Sequence, residues 1–146
     1  MVALLSVVSV FGQKRDFTGT WKQIEQSGWV RIDNIEHKDP YLKVTTDARS
    51  APGTNARLSS ALMGTDEYSI TGEEKADNDA NGRQRWTTIG WQASALVFLK
   101  IVKDGYHVTV TRETWMLSDD GNTMTRTTRV INMDGVTEST LTFRRQ

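Results

Sequence analysis

The chain has 146 residues, a length that predicts one domain with a sizeable core. Its 18 basic and 18 acidic residues balance to zero formal charge, whereas a nucleic-acid binder or a polybasic membrane-surface module would carry a basic excess. The sequence contains no Cys, which excludes disulfides, a thiolate nucleophile and thiolate metal ligands. We therefore expect no nucleic-acid partner, no bound metal and no other cofactor.

The segment 1–12, MVALLSVVSVFG, is apolar and uncharged, and charged residues follow directly after it. This run is too short to span a bilayer as a helix. Its length and its small last residue, Gly12, fit the end of a secretory signal peptide, although the positively charged start of such a peptide is missing. The alternative is an extra N-terminal strand, because Val and Phe also suit strands. We expect a secreted or periplasmic protein, a domain over 13–146 and no membrane span in the mature chain.

Short runs rich in β-branched and aromatic residues alternate with turn signals along the rest of the chain. Asp-Gly pairs at 104–105, 120–121 and 134–135 and an Asn-Gly pair at 81–82 are typical of β-hairpin loops, because Gly readily adopts a positive φ. A further turn is expected at 37–40. The spacing predicts strands at 17–25, 29–37, 41–48, 55–63, 66–74, 83–92, 95–103, 106–117, 123–132 and 136–145.

Sequential antiparallel strands joined by short turns form a meander, and a long meander closes most simply into a barrel without free edges. The predicted fold is therefore all-β, a single up-and-down antiparallel β-barrel of about 8–10 strands. Two polar stretches, 49–55 and 73–82, are predicted to be loops. A short helix is an alternative to the strand at 55–63.

Alternation of side chains along strands assigns them to the two faces of the sheet. With Leu141 and Phe143 in the core and three-residue hairpin loops, odd-numbered residues of the last four strands are predicted to face inward. This set has an apolar end around Trp115. It includes Val97, Leu99, Ile101, Thr125 and Ile131, and its polar end contains Thr111, Glu113, Thr127, Arg129 and Ser139.

The polar end is the candidate ligand site. In the predicted register Glu113 and Arg129 lie diagonally across neighbouring strands and can pair, which would fix the head group of a small ligand. The alternative is a structural ion pair, or a charge at a wet barrel mouth. Trp29 and Trp91 lie near strand ends and are candidates for the rim of an apolar cavity, whereas the core is expected to contain Trp21, Trp86 and Trp115.

The same register places Tyr106, Val108 and Val110 on the outer face. Either a β-bulge exchanges the faces midway along this strand, or the barrel has an apolar outer patch that would suit a dimer interface. Both alternatives are compatible with the sequence, and the protein is expected to be a monomer or a homodimer.

Three classes of function compete. The first is a binding module for a small hydrophobic or amphiphilic ligand. The second is an enzyme at the barrel mouth, but His107 and Glu113 are roughly 20 Å apart along one strand, too far for direct cooperation. No catalytic motif is found, so no catalytic residue is assigned. The third is an assembly role in which 1–12 is retained as a strand that pairs with a neighbour.

Three segments carry a family resemblance: FTGTWK at 17–22, IEHKDPYLKV at 35–44 and WMLSDDGNTMT at 115–125. With them the chain resembles a lipocalin-like (calycin) β-barrel, and more closely small secreted bacterial lipocalin-like proteins of unassigned function. The resemblance implies binding of a small hydrophobic ligand inside the barrel. It also implies that Trp21, introduced by Gly19, packs against an Arg of the last strand in a cation–π contact that closes the barrel. Arg145 has the right parity for this contact, and Arg144 is the alternative.

Overall fold

The structure, a computed structural model, describes residues 13–24, 28–53 and 63–146. Within these ranges the chain is all-β without a helix, and ten antiparallel strands form one sheet in which neighbours in sequence are neighbours in space. The predicted all-β meander is thereby confirmed. The strands are β1 (Gly19–Gln23), β2 (Trp29–Lys38), β3 (Tyr41–Ser50), β4 (Gly64–Ser69), β5 (Glu74–Asn78), β6 (Gln84–Gln92), β7 (Ala95–Asp104), β8 (His107–Leu117), β9 (Thr123–Asn132) and β10 (Gly135–Arg145).

The barrel is closed by β1, which pairs with both β2 and β10. The two ends of the sheet are β4 and β5, and the turn between them is held from both sides. Ile70 N donates to Pro40 O at 2.7 Å, and Gly72 N donates to Ile89 O at 2.8 Å. β4 and β5 do not pair with each other, but these two hydrogen bonds hold the turn between them at one end of the barrel.

That end is filled by aromatic and aliphatic side chains, and we call it the closed end. The side chains of Phe17, Trp21 and Phe143 are fully buried there, and each burial stabilises the fold by about 1.5–3 kcal/mol. The opposite, open end carries the hairpin turns at 79–82, 105–106 and 133–134. The buried core contains Phe17, Trp21, Ile35, Leu42, Val44, Ile70, Ile89, Leu96, Trp115, Met124 and Phe143.

One predicted strand and one predicted loop are wrong. The strand expected at 66–74 is divided by the β4–β5 turn, and the loop expected at 73–82 contains β5. A charged composition is common in edge strands, where it prevents pairing with other chains, so β5 resembles a loop in sequence. Asp77 of β5 is held to β6 by a salt bridge of 2.7 Å to Arg85.

Other predictions fall on undescribed parts of the chain. The segment 1–12 lies outside the described residues, and so does the strand predicted at 55–63 with its helical alternative, except for Met63. In the described part, no helix has the length and apolar character needed to cross a bilayer.

Hairpin turns are shorter than predicted, and this changes the faces of two strands. The turns at 105–106 and 133–134 contain two residues each. Because side chains alternate, a one-residue shift in register moves a strand's whole inward set to the other face. Even-numbered residues of β7 and β9 therefore face the interior, as the burial of Leu96 and Met124 shows. The residues that were wrongly predicted to face inward are Val97, Leu99, Ile101, Thr125, Thr127, Arg129 and Ile131.

The outer face of β8 is apolar near the open end. β8 pairs with β7 and β9 in continuous register, so the predicted alternative of a β-bulge is wrong. Val108 and Val110 lie outside the barrel. Trp86 also lies on the outer face, beside Ile101, which corrects its expected place in the core.

Candidate functional site

At the closed end, an arginine of the last strand packs on a tryptophan of the first strand. The Arg145 guanidinium carbon lies 4.3 Å from the centre of the Trp21 ring. Arg145 also donates from Nε to Gly121 O at 3.0 Å and from Nη1 to Thr18 O. Gly19 has a φ of +146°, and a Cβ there would come within 2.5 Å of Arg145 Nη1. The sequence Gly-x-Trp therefore makes room for the arginine that covers the tryptophan.

Trp91 also belongs to the closed end, because its ring lies 6.0 Å from that of Phe17 and 5.7 Å from that of His37. Trp91 Nε1 donates to Asp39 at 3.1 Å. Burial opposes ionisation of Asp39, but hydrogen bonds from Lys14, Trp91 and His37 outweigh it and lower the pKa of this carboxyl. Trp91 is thus one of the side chains that fill the closed end of the barrel, which corrects the prediction that it lines a rim.

A buried arginine lies in the middle of the barrel. The Arg126 side chain is only 5% exposed. Its guanidinium carbon lies 3.8 Å from the centre of the Trp115 ring and 4.5 Å from that of Phe143. Nη1 is 2.8 Å from Asp33 Oδ2. Arg126 therefore lies between two aromatic rings and makes one ion pair.

The partner carboxylate, Asp33, is fully buried and has further donors. Arg31 donates to it from Nε at 2.9 Å and from Nη2 at 3.1 Å, and Thr46 Oγ1 donates at 2.8 Å. Asp33 therefore stays compensated without Arg126, since a second cation and a hydroxyl already satisfy its oxygens.

Arg126, in contrast, is not fully satisfied. Its Nε and Nη2 are buried and have no hydrogen-bond partner in the described part of the chain. Burial lowers the pKa of Arg126 to about 10, and the attraction of Asp33 offsets this only in part. Burying a cation with free donors is costly unless an anion completes its shell. The guanidinium is therefore the group best suited to receive an anionic ligand.

The residues next to Arg126 include a carboxylate and a phenol. Glu113 accepts a hydrogen bond from Trp115 Nε1. Tyr68 packs edge to face on Phe98 with ring centres 5.3 Å apart. Burial, with the nearby negative charges of Asp66 and Glu113, raises the pKa of Tyr68 to about 12, so its hydroxyl stays protonated at neutral pH.

Between Arg126 and the open end, hydroxyl side chains line the inner wall. Strand register places Glu113, Thr128 and Ser139 in one row across β8–β10. The next row toward the open end contains Lys100, Thr111, Val130 and Thr137. Ser139, Thr137 and Lys100 are exposed although they belong to the inward set. Solvent therefore reaches the upper interior, and its wall combines hydroxyl groups with methyl groups.

The structure places some of the predicted site residues on the inner wall and others on the outer face. Thr111, Glu113 and Ser139 belong to the inner wall, and Trp29 begins β2 at the open end, half-buried. Thr127 and Arg129 face outward, and Thr127 Oγ1 lies 3.3 Å from Thr140 Oγ1. The predicted pairing of Glu113 with Arg129 therefore cannot form inside the barrel. Of the groups weighed for catalysis, His107 is exposed at the start of β8, far from Glu113.

Sequence reasoning missed Arg126 and Asp33. The strand pairing places Arg126 directly between Trp115 and Leu141. If the hairpin loops had been assigned two residues each instead of three, the sequence would have predicted this row. Nothing in the sequence around Asp33 marks it as buried, because its partners come from three different strands.

Two surface depressions lie at opposite ends of the barrel. The larger, of about 440 Å³, lies between the turns at 79–82 and 105–106. Arg126 lines neither. Among the residues that the structure describes, no group of three His, Asp or Glu side chains could hold a metal ion. The smaller depression, of about 190 Å³ on the outside of the closed end, is lined by Lys14, Arg15, Asp16, His37 and Asp39.

No protein-family model matches the chain, and no curated protein matches it. Solved structures do match. The REP1-NXSQ fatty acid transporter has a TM-score of 0.57 at 12% identity, covering 90% of this chain and 96% of that one. Fatty-acid-binding protein 1 of Echinococcus granulosus has a TM-score of 0.55 at 15% identity, with 88% and 96% covered. Zebrafish ileal bile acid-binding protein, complexed with cholic acid, has a TM-score of 0.53 at 13% identity, with 89% and 98% covered. At such identities the likeness shows the fold alone, which is an antiparallel β-barrel.

Proposed function

We propose that this protein binds an amphiphilic small molecule inside the barrel and holds its negatively charged group at Arg126. The observation that carries the proposal is the buried guanidinium whose Nε and Nη2 have no partner among the described residues. A carboxylate fits these two donors, because the planar guanidinium fork matches its two oxygens. Such a ligand would complete the shell of Arg126 and offset the cost of burying its charge.

The inner wall supports an amphiphile over a pure hydrocarbon. Toward the open end, the ligand would pass the hydroxyl groups of Thr128, Ser139 and Thr111, whose row neighbours include Lys100. Polar groups on the ligand would satisfy these side chains, whereas a bare hydrocarbon would displace their water without replacing its hydrogen bonds. The predicted contributions of Thr111, Glu113, Ser139 and Trp29 to ligand binding belong to this proposal.

The names of similar structures support the same ligand class, since they describe a fatty acid transporter, a fatty-acid-binding protein and a bile acid-binding protein. We also propose that the protein is a lipocalin-like protein of the secreted or periplasmic kind, as the apolar segment 1–12 suggests. Intact-mass measurement of the protein from its own host tests this point. A mature N-terminus near Gln13 is expected, whereas retention of 1–12 would argue for the alternative of an added strand.

Binding at Arg126 is tested by titrating the protein with oleate, cholate and the neutral analogue oleyl alcohol, followed by tryptophan fluorescence. Trp115 reports directly, because its ring contacts the guanidinium. We expect oleate or cholate to bind more tightly than the alcohol. Arg126→Gln should weaken binding of the anion by about 10- to 100-fold, since it removes charge-assisted hydrogen bonds.

The matched control is Arg129→Gln, which removes an exposed, outward arginine from the same strand. It should leave the affinity unchanged. If none of the three amphiphiles binds to the wild-type protein, the proposed function is wrong. If an anion binds with equal affinity to the wild type and to Arg126→Gln, the position of its charged group is wrong.

A further inference from the structure

A row of apolar side chains crosses the outer face of the barrel near the open end. Strand register pairs Trp86 with Ile101, and Ile101 with Val110. Val110 in turn pairs with Ile131, and Ile131 with Val136. All five belong to the outward sets of their strands, so they lie side by side across β6–β10. We call these five residues the outer strip.

The outer strip is exposed at Ile131 and Val136 and half-buried at Trp86, Ile101 and Val110. Ile131 is 42% and Val136 56% exposed, and the neighbouring Val108, Met133 and Tyr106 are 42%, 72% and 100% exposed. These exposed side chains form a contiguous group, and large exposed apolar patches mark interaction sites. The strip crosses five strands about 4.8 Å apart, a width comparable to that of an interface taking about 800 Å² from each partner.

We propose that the outer strip is the interface of a homodimer in which two copies of this chain pack face to face. A two-fold axis that lies in the interface, parallel to the strands and between Val110 and Ile131, lays the row of one copy against the row of the other in reverse order. Val110 then faces Ile131 of the second copy, and Ile101 faces Val136 of the second copy. A self-complementary apolar patch is what a two-fold interface requires.

The charges beside the strip fit the same axis. In β7, Lys103 lies two residues from Ile101 toward the open end. Asp134, just before β10, lies two residues from Val136, also toward the open end. The two-fold operation keeps displacements along the strands, so Lys103 of one copy meets Asp134 of the other, twice per dimer. Neither residue makes a salt bridge within the described part of the chain.

The proposal is tested by sedimentation velocity of the full chain over a range of concentrations. We expect a dimer at micromolar concentration, and a rise in the dimer dissociation constant of 100-fold or more for Ile131→Lys. The matched control is Thr127→Lys, which adds the same charge on the outer face of the same strand, away from the strip. It should leave the dimer intact. Circular dichroism of each variant confirms that the barrel is folded.

Charge reversal tests the arrangement of the two copies. Lys103→Glu and Asp134→Lys should each weaken the dimer by about 10-fold, because each places like charges together at two symmetric contacts. The double variant should regain the wild-type affinity. A wild-type protein that stays monomeric at roughly 100 µM overturns the proposal. A dimer that Ile131→Lys leaves intact, or a double variant as weak as the single ones, overturns it equally.

Discussion

Replacing Arg126 with Met should make the ligand-free protein more stable while it abolishes anion binding. The pKa of Arg126 falls from 12.5 to about 10 in the fold, which at about 1.4 kcal/mol per unit opposes folding by about 3 kcal/mol. Methionine removes this cost and keeps an apolar side chain between the rings of Trp115 and Phe143. It also loses the cation–π contacts, worth about 1–2 kcal/mol. Asp33 keeps its bonds from Arg31 and Thr46. The free energy of unfolding should therefore rise by about 1–2 kcal/mol.

The measurement is urea denaturation at pH 7, followed by far-UV circular dichroism, with Arg129→Met as the exposed control. The control should lie within about 0.5 kcal/mol of the wild type. Above pH 10 the wild type should approach the Arg126→Met variant in stability, because the folded state then loses the proton of Arg126 before the unfolded state does. A loss of about 3 kcal/mol or more in Arg126→Met would refute the reasoning, since it is the result expected when a structural ion pair is broken.

Three further changes test the closed end and its turns. Gly19→Ala should lower the unfolding free energy by about 1–2 kcal/mol more than Gly82→Ala, since both have positive φ but only the first places a Cβ against Arg145; equal losses in thermal denaturation would contradict this. Because the pKa of Asp39 is lowered in the fold, its contribution to stability is present above the ordinary value of 3.8 and is lost as the pH falls below it. Asp39→Asn should therefore flatten the acid side of a plot of denaturation midpoint against pH, and an unchanged plot would count against the hydrogen bonds to this carboxyl. Ala93 has a φ of 54°, so Ala93→Gly should raise the unfolding free energy by about 0.5–1 kcal/mol, and a loss would show that the turn is not strained.

The closure of the barrel was predictable because it depends on local signals. Gly-x-Trp at 19–21 and the hairpin turns along the chain limit the fold to a meander. The pairing of β1 with β10 then follows, since a long meander leaves two edges that can join. The division of 66–78 into two strands was not predictable in the same way. β5 has no apolar inward side chain, and its backbone pairing to β6 is accompanied by an ion pair between Asp77 and Arg85.

The candidate site was missed for a different reason. Whether a hairpin turn contains two or three residues depends on backbone geometry that Asp-Gly alone does not determine. A difference of one residue exchanges the two faces of β9, so Arg129 was assigned to the interior and Arg126 was missed. Glu113 was placed correctly because the register of β8 was derived from β10 through β9, and the one-residue errors at the two connections cancel for β8.

The alternation of β8–β10 is itself unusual near the open end, where the apolar side chains lie outside and the hydroxyl groups lie inside. Val110 and Ile131 face outward, whereas Thr111 and Ser139 belong to the inner wall. A pattern that assumes apolar residues face the core therefore points to the wrong face there. On the outer face the described chain leaves an apolar row exposed, as at interaction sites. On the inner face the hydroxyl groups require hydrogen bonds to water or to a polar ligand. The same inversion thus supports both proposals, one for each side of the sheet, and the two sides can be tested independently because Arg126 and Ile131 project from opposite faces of β9.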